Sequence, residues 1–404
     1  MKKIHYIYAA AMLLLGIAAC KKEEPAAELP AGVTDAEYID GVLSDAVAMV
    51  NPADLNPAFD FYDKIILPIQ STESIDMKGV NNLIADFYED MAKDDVTEVN
   101  FDRFAGEVII TVNDEVQAAS FVPAEEEGAR TLTVKAVCYE ETAEAALSWG
   151  AETFPISGKI DKNNMLAMAA HLRNPEAPVA DKPEDMKEIT FRVPASVTAS
   201  LKYKDKGIAD VSAAFRVPGV TVGDDGVPAD FKAFADIAIK VCGLSVQAAN
   251  ASLAATAGVP SIQAPLTLSS RKGTIGQFTV NASGTGPTSG LSNISVSGNI
   301  LERLALDIHV DDEKLSAATT PDERNAAQII DLFYRSTPLS HDKRNASIVL
   351  DAENNMVPAF RTNNFTPESK DYISPANFPK TYSAGSAIFM WVMMRIQGGK
   401  MIEP

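Results

Sequence analysis

Outside its first twenty residues the chain has three histidines, His171, His309 and His341. A catalytic trio needs a nucleophile and an orienting acid brought to one of them, and no spacing nominates such partners. His171 and His309 fall in strand-like runs, opposite the neighbouring aliphatics, and His341 follows a helical stretch. All three read as solvated side chains. The sequence contains no HExxH, GxSxG or P-loop pattern, so the local spacings of a zinc protease, a nucleophile elbow or a phosphate cradle are missing. "GTGPTSG" (284–290) has glycines but no strand-then-helix context, so a phosphate cradle is not indicated. "HVDDE" (309–313) and "GDDG" (223–226) cluster carboxylates that can hold calcium, yet neither follows EF-hand spacing, and turn solvation is the better reading. With 55 acidic residues, carboxylate pairs are inevitable and carry no weight for a glycosidase. Cys138 and Cys242 form no CxxC and no Cys/His set, so no zinc site is supported. Both sit in strand-like runs, where they can pair as a disulfide or pack as small hydrophobes. No catalytic residue, metal ligand or cofactor is assigned on these grounds.

The C-terminal region departs most from the average. Residues 360–391 hold Phe360, Phe365, Tyr372, Phe378, Tyr382, Phe389 and Trp391, far above the 7% aromatic content of the chain. Flat rings beside the amides Asn363, Asn364 and Asn377 can stack on and hydrogen-bond a glycan or hold a small apolar ligand. Phe365, Tyr372, Tyr382 and Trp391 are therefore the candidate ligand-binding residues. The competing reading makes this segment a cover for a sheet, with its rings in the core. "SAGSAIFMWVMMRIQGG" (383–399) predicts a helix from Ser383 to a glycine stop. Ala387, Met390, Trp391 and Met394 share one face of it, and Trp391 is expected to be mostly buried.

The elements that would position these residues show two periods. "NNLIADFYEDM" (81–91) places Leu83, Ile84, Phe87, Tyr88 and Met91 on one helical face. From 106 onward the period becomes two. Leu132, Val134, Ala136 and Cys138 share a face, as do Val197, Ala199, Leu201 and Tyr203, then Ile237, Ile239 and Val241, then Leu304, Leu306, Ile308 and Val310. Such alternation marks half-buried antiparallel strands, roughly fourteen of them between 106 and 361, separated by turn chemistry such as "KDKG" (204–207) and "SRKG" (270–273). The expected fold is mainly β, a β-rich α+β chain. It has one large antiparallel sheet as a meander, sandwich or calycin-like barrel, with flanking N- and C-terminal helices. Helices are expected at 34–93, 321–335 and 383–397. Proline and charge at 174–187 suggest a boundary between a region at 36–175 and another at 188–404, unless both belong to one domain.

The first residues locate the protein. Lys2 and Lys3 precede an apolar run that is too short to span a membrane and ends in small residues, the pattern of a secretory signal at 1–19. Ile17-Ala18-Ala19-Cys20 resembles the lipobox of bacterial lipoproteins. That resemblance implies cleavage before Cys20 and a diacylglycerol on its thiol, with further acylation of the new amine. Several acyl chains make a stable anchor where one is marginal. Lys21-Lys22-Glu23-Glu24 resembles the surface-export signal of Bacteroidota lipoproteins, which implies an outer-membrane, surface-exposed protein. Residues 20–35 read as a lipidated cysteine and a proline- and alanine-rich tether.

Composition narrows the partners. The chain has 404 residues and a formal charge of −20, or −22 once Lys2 and Lys3 are removed. Such a charge repels nucleic acid and anionic lipid, so attachment to a membrane must come from the lipid. The expectation is a lipid-anchored envelope protein, non-enzymatic, with a ligand-binding or structural role. Two other functions compete: a secreted-type hydrolase acting on polysaccharide, and an adhesive component that assembles through edge strands.

Overall fold

The computed structural model describes residues 31–176, 183–217, 220–222, 228–286, 291–333, 346–350, 356–359 and 379–396. Contacts divide the chain into two compact units, one formed by residues 1–54 and 216–404, the other by 55–215.

In the first unit, helix α1 (Asp35–Ala48) starts at a capping box. Thr34 Oγ1 accepts from the Glu37 N–H at 3.3 Å, and Glu37 Oε2 accepts from the Thr34 N–H at 2.9 Å. Those Thr34 hydrogen bonds hold the Glu37 carboxyl below its usual range. The helix ends where Lys272 Nζ donates to the Ala48 carbonyl at 2.6 Å, a cation placed at the negative end of the dipole. Its Ile39, Val42 and Ala46, spaced as one helical face, are buried against a long meander. After a short strand at Val220–Val222 (β10), the meander runs through β11 (Pro228–Val241), β12 (Leu244–Thr256), β13 (Val259–Ser270), β14 (Gly273–Ser283), β15 (Asn293–Ile300), β16 (Leu304–Asp311), β17 (Gln328–Phe333), β18 (Ala346–Leu350) and β19 (Met356–Ala359). Each strand from β11 onward pairs antiparallel with the next. The apolar side carries Leu268, Ile275, Phe278, Val296, Ile300, Leu304, Leu306 and Ile308, and these meet α1 in one core.

Tight turns keep the meander in register. Cys242-Gly243 and Ala257-Gly258 have φ of 48° and 83°, and of 49° and 77°, the twist a two-residue hairpin needs. At Gly243 a side chain is excluded twice over. Its φ is left-handed, and a Cβ would lie 2.6 Å from Asp54 Oδ2, whose partner oxygen pairs with Arg271 at 2.9 Å. Gly243→Ala should therefore cost about 1–2 kcal/mol. Gly207→Ala, where a Cβ meets nothing within 4 Å, should be nearly silent. Chemical denaturation of both variants checks the contrast.

The second unit carries residues 56–70 in helical turns, α2 (Lys78–Ala92) and α3 (Lys162–Arg173). Its main sheet has the order β3 (Gln117–Pro123), β2 (Gly106–Val112), β4 (Thr131–Cys138), β5 (Glu141–Trp149), β8 (Ser196–Tyr203) and β9 (Lys206–Arg216). A smaller sheet joins β1 (Glu98–Val99), β7 (Met186–Pro194) and β6 (Thr153–Asp161). Strand β4 crosses to the far side of β2, so β2 and β4 are parallel and the sheet is mixed. Arg173 ties α3 to α2 through Asp86 at 2.6 Å and Glu89 at 2.8 Å. Lys162 lies between Asp185 and Asp94 at 2.8 and 2.7 Å, and hydrogen bonds to the two carboxylates push its pKa up to about 12. A raised lysine pKa stabilises the fold fully below the ordinary value near 10.5 and loses that effect as pH rises through about 12. Lys162→Gln should melt earlier than the parent at neutral pH, and the two melting temperatures should converge toward pH 12.

The chain is thus β-rich with flanking helices, as the alternation implies. The meander of the first unit is antiparallel throughout, the main sheet of the second unit contains one parallel pair, and neither closes into a barrel among the described residues. Two expectations change. Residues 162–173, including His171, are helical and not extended, because Asp161 caps the turn by accepting from the Asn163 N–H at 3.0 Å. Helix occupies only Pro321–Ala327 of the expected 321–335, and the β-branched pair Ile329-Ile330 then extends alongside β16 as β17. The 174–187 segment connects α3 to β7 inside the second unit, and 177–182 lie outside the described residues.

Candidate functional site

The side of the meander opposite the core is polar. Directly opposed residues on neighbouring strands share a face, so the register assembles rows. One row runs Ser252, Gln263, Asn281, Ser295 and His309 across β12 to β16. Phe234 on β11 and Ile329 on β17 end it. Beside it runs a second row of Lys232, Ala254, Ser261, Ser283, Asn293 and Asp311. The two rows line an open groove of about 750 Å³, with Ala326 and Ala327 of the short helix 321–327 at its β17 end.

The groove is close to neutral, in contrast to the whole chain. Asp311 is committed elsewhere: it caps the helix at Asp312–Ala317 and pairs with Lys314 at 2.7 Å, whose hydrogen bond lowers the Asp311 pKa. Lys232 Nζ sits 5.1 Å from the Phe234 ring centre. The side chains of Ser252, Gln263, Asn281 and Ser295 make no hydrogen bond with the described residues. Each can both donate and accept, so the row presents a ready lattice of polar groups.

His309 stands across from Ser295, and its Nε2 lies 3.8 Å from Asp307 Oδ1. These are the residue types of a serine hydrolase, but the geometry is wrong for one. The His–Asp distance exceeds a hydrogen bond, and the imidazole is 61% exposed. Backbone N–H groups of β15 and β16 are engaged in the ladder, leaving no donor pair aimed at an oxyanion above this face. The arrangement is suited to holding a polar molecule.

The sequence-derived candidates do not converge. Cys20, Phe365 and Tyr372 lie outside the described residues. Tyr382 and Trp391 share helix α4 (Pro379–Ile396) but are about two and a half turns apart, on opposite sides of it. Tyr382 is 65% exposed and most of the Trp391 surface is covered, while Ala387 and Met390 of the expected inner face are exposed. The helix is present, but the orientation given to it by spacing alone is not. Cys138 and Cys242 form no disulfide. Cys138 ends β4 with Sγ 3.7 Å from the Ile65 carbonyl, and burial pushes its thiol pKa up. Cys242 is in the β11–β12 turn, not a strand.

Edge pairing is guarded in the second unit. Strand β6 pairs only with β7 among the described residues, and it carries Pro155 and Lys159, residues that discourage an added strand. The β3 edge is bridged at Ala118 by Asp76, and the backbone at Gly79 approaches Ala119 and Ser120 closely.

No protein family matches the sequence, and neither curated proteins nor solved structures match the chain.

Proposed function

We propose that the protein is a lipid-anchored component of a bacterial cell envelope, held at the outer membrane through acylated Cys20. In this reading its β12–β16 groove binds an uncharged polar ligand without transforming it. The observation that carries the binding reading is the registered row Ser252–Gln263–Asn281–Ser295, whose donors and acceptors meet nothing in the described chain. The anchor rests on the leader and the Ile17-Ala18-Ala19-Cys20 sequence. No helix among the described residues is long and apolar enough to cross a membrane.

Two measurements test the halves separately. Cys20→Ala should abolish incorporation of labelled palmitate, and equal labelling of the variant overturns the anchor. Asn281→Trp places a large side chain in the middle of the groove on a strand that tolerates it. A soluble polysaccharide fraction from the cell envelope should raise the melting temperature of the parent and not that of this variant. Equal stabilisation of both overturns the groove as the site.

A further inference from the structure

We infer that the ligand is an extended, uncharged sugar polymer that lies across the strands, one ring above each strand. This rests on the groove as the binding site and specifies what fills it. The first argument is periodicity. Neighbouring strands are about 4.8 Å apart, so the polar row repeats at that interval, whereas positions along one strand on one face repeat at about 6.8 Å. The cross-strand interval is close to the advance per ring of an extended β-linked pyranose chain. A polymer of that kind can set one ring, with hydroxyls on both of its edges, over each of Ser252, Gln263, Asn281, Ser295 and His309 in turn.

Chemistry gives the second argument. Amides and hydroxyls each donate and accept, as sugar hydroxyls do. The ionisable groups at the rims are diverted, Asp311 to Lys314 and Lys232 to the Phe234 ring, so a charged polymer finds no matching counter-charge in the row. The chain's charge of −20 also repels polyanions.

Length gives the third. The polar row is five strands wide and stops at Phe234 and Ile329, a span of roughly 19 Å between its end positions at about 4.8 Å per strand. Affinity should therefore grow with chain length to about five rings and then level off.

Calorimetric titration of the mature chain with cellohexaose, xylohexaose, mannohexaose and maltohexaose tests the assignment. At least one of the three extended β-linked hexaoses should bind, its disaccharide should bind far more weakly, and the coiled α-linked maltohexaose should not bind. The pair Gln263→Ala and Asn281→Ala together should weaken binding about tenfold, the loss of two neutral hydrogen bonds. Melting should be unchanged, because those side chains have no partners in the described chain. Gln277→Ala, on the same face but outside the groove, should leave affinity as it is. The assignment is overturned by no binding of any extended hexaose, by equal binding of maltohexaose, or by affinity indifferent to Gln263 and Asn281. If that happens while envelope polysaccharide still stabilises the parent and not Asn281→Trp, the groove remains a binding site and only the extended-sugar assignment falls.

Discussion

Phe278→Ala should lose about 3–5 kcal/mol of stability, the range for removing a buried aromatic ring from a core that cannot collapse around the gap. Phe278 is 2% exposed on the apolar side of β14. Leu266 stands opposite it on β13, and Gly298 on β15. The missing side chain at Gly298 leaves room for the ring, and Leu306 closes the next position on β16. Ile39, Val42 and Ala46 of α1 belong to the same core. Truncation therefore opens a void between a helix and a sheet held by ladder hydrogen bonds, and neither can move far to fill it. Denaturant unfolding followed by circular dichroism should show a lower midpoint with an unchanged slope. Phe278→Leu should recover most of the loss, since it refills much of the volume. A cost below about 1 kcal/mol for the alanine variant would mean that the ring is not packed as described.

The strands that form this core are legible from local pattern because each inward position is apolar on its own account. In "LALDIHVD" the alternation assigns Leu304, Leu306 and Ile308 to one face, and all three are buried at 0, 4 and 3% exposure. Local pattern fails where pairing decides the outcome. "AAQIIDLFY" has helical spacing, yet Ile329 and Ile330 gain neighbours on β16 by extending, and that gain depends on residues twenty positions away. Residues 162–173 show the converse. The run "KNNMLAMAAHLR" has only a weak apolar stripe, and its helix is held by the Asp161 cap and by Arg173 on Asp86 and Glu89 of α2. Met390 shows a third limit: spacing puts it on the helical face of Trp391, yet it is 55% exposed, because spacing does not say which element a face meets.

The groove was not legible at all, for a related reason. Gln263, Asn281 and Ser295 each sit at an outward position of an alternating strand, where a polar residue is the ordinary choice for contact with water. Only the register of five consecutive strands places them in line, and that register is set by turns such as Ala257-Gly258 and by the shift between Ala248 and Ser252 on β12. A one-residue slip anywhere in the meander would scatter the row and expose the core face instead. The signal in the sequence is the choice of amide and hydroxyl side chains at these positions. His309 was correctly placed opposite its aliphatic neighbours, but its alignment with Ser295 required the fold.

Asp40→Ala should cost about 2–3 kcal/mol and loosen the C-terminal helix specifically. Asp40 is only 2% exposed, the one buried charged residue among those described. Its carboxylate accepts from the backbone N–H groups of Lys380 and Thr381 at 3.0 and 2.8 Å, and its carbonyl accepts from Thr381 Oγ1 at 3.0 Å. An aspartate on α1 thus caps the first turn of α4, whose own N–H groups have no intrahelical partner there. Negative charge at that end also complements the helix dipole. Alanine would remove the acceptor of both N–H groups, and hydrogen bonds to a charged acceptor are worth about 1.5–3 kcal/mol. Asp40→Asn keeps one acceptor and should lose less. The readout that separates capping from general destabilisation is hydrogen exchange, which should accelerate most in 379–396. A double-mutant cycle adds a stricter test. Thr381→Pro is tolerated in a first helical turn but removes one of the two N–H donors. If the carboxylate and that donor interact, the costs of Asp40→Ala and Thr381→Pro must fall short of additivity by about 1 kcal/mol or more. Strict additivity would show that Asp40 stabilises the protein by some route other than this cap.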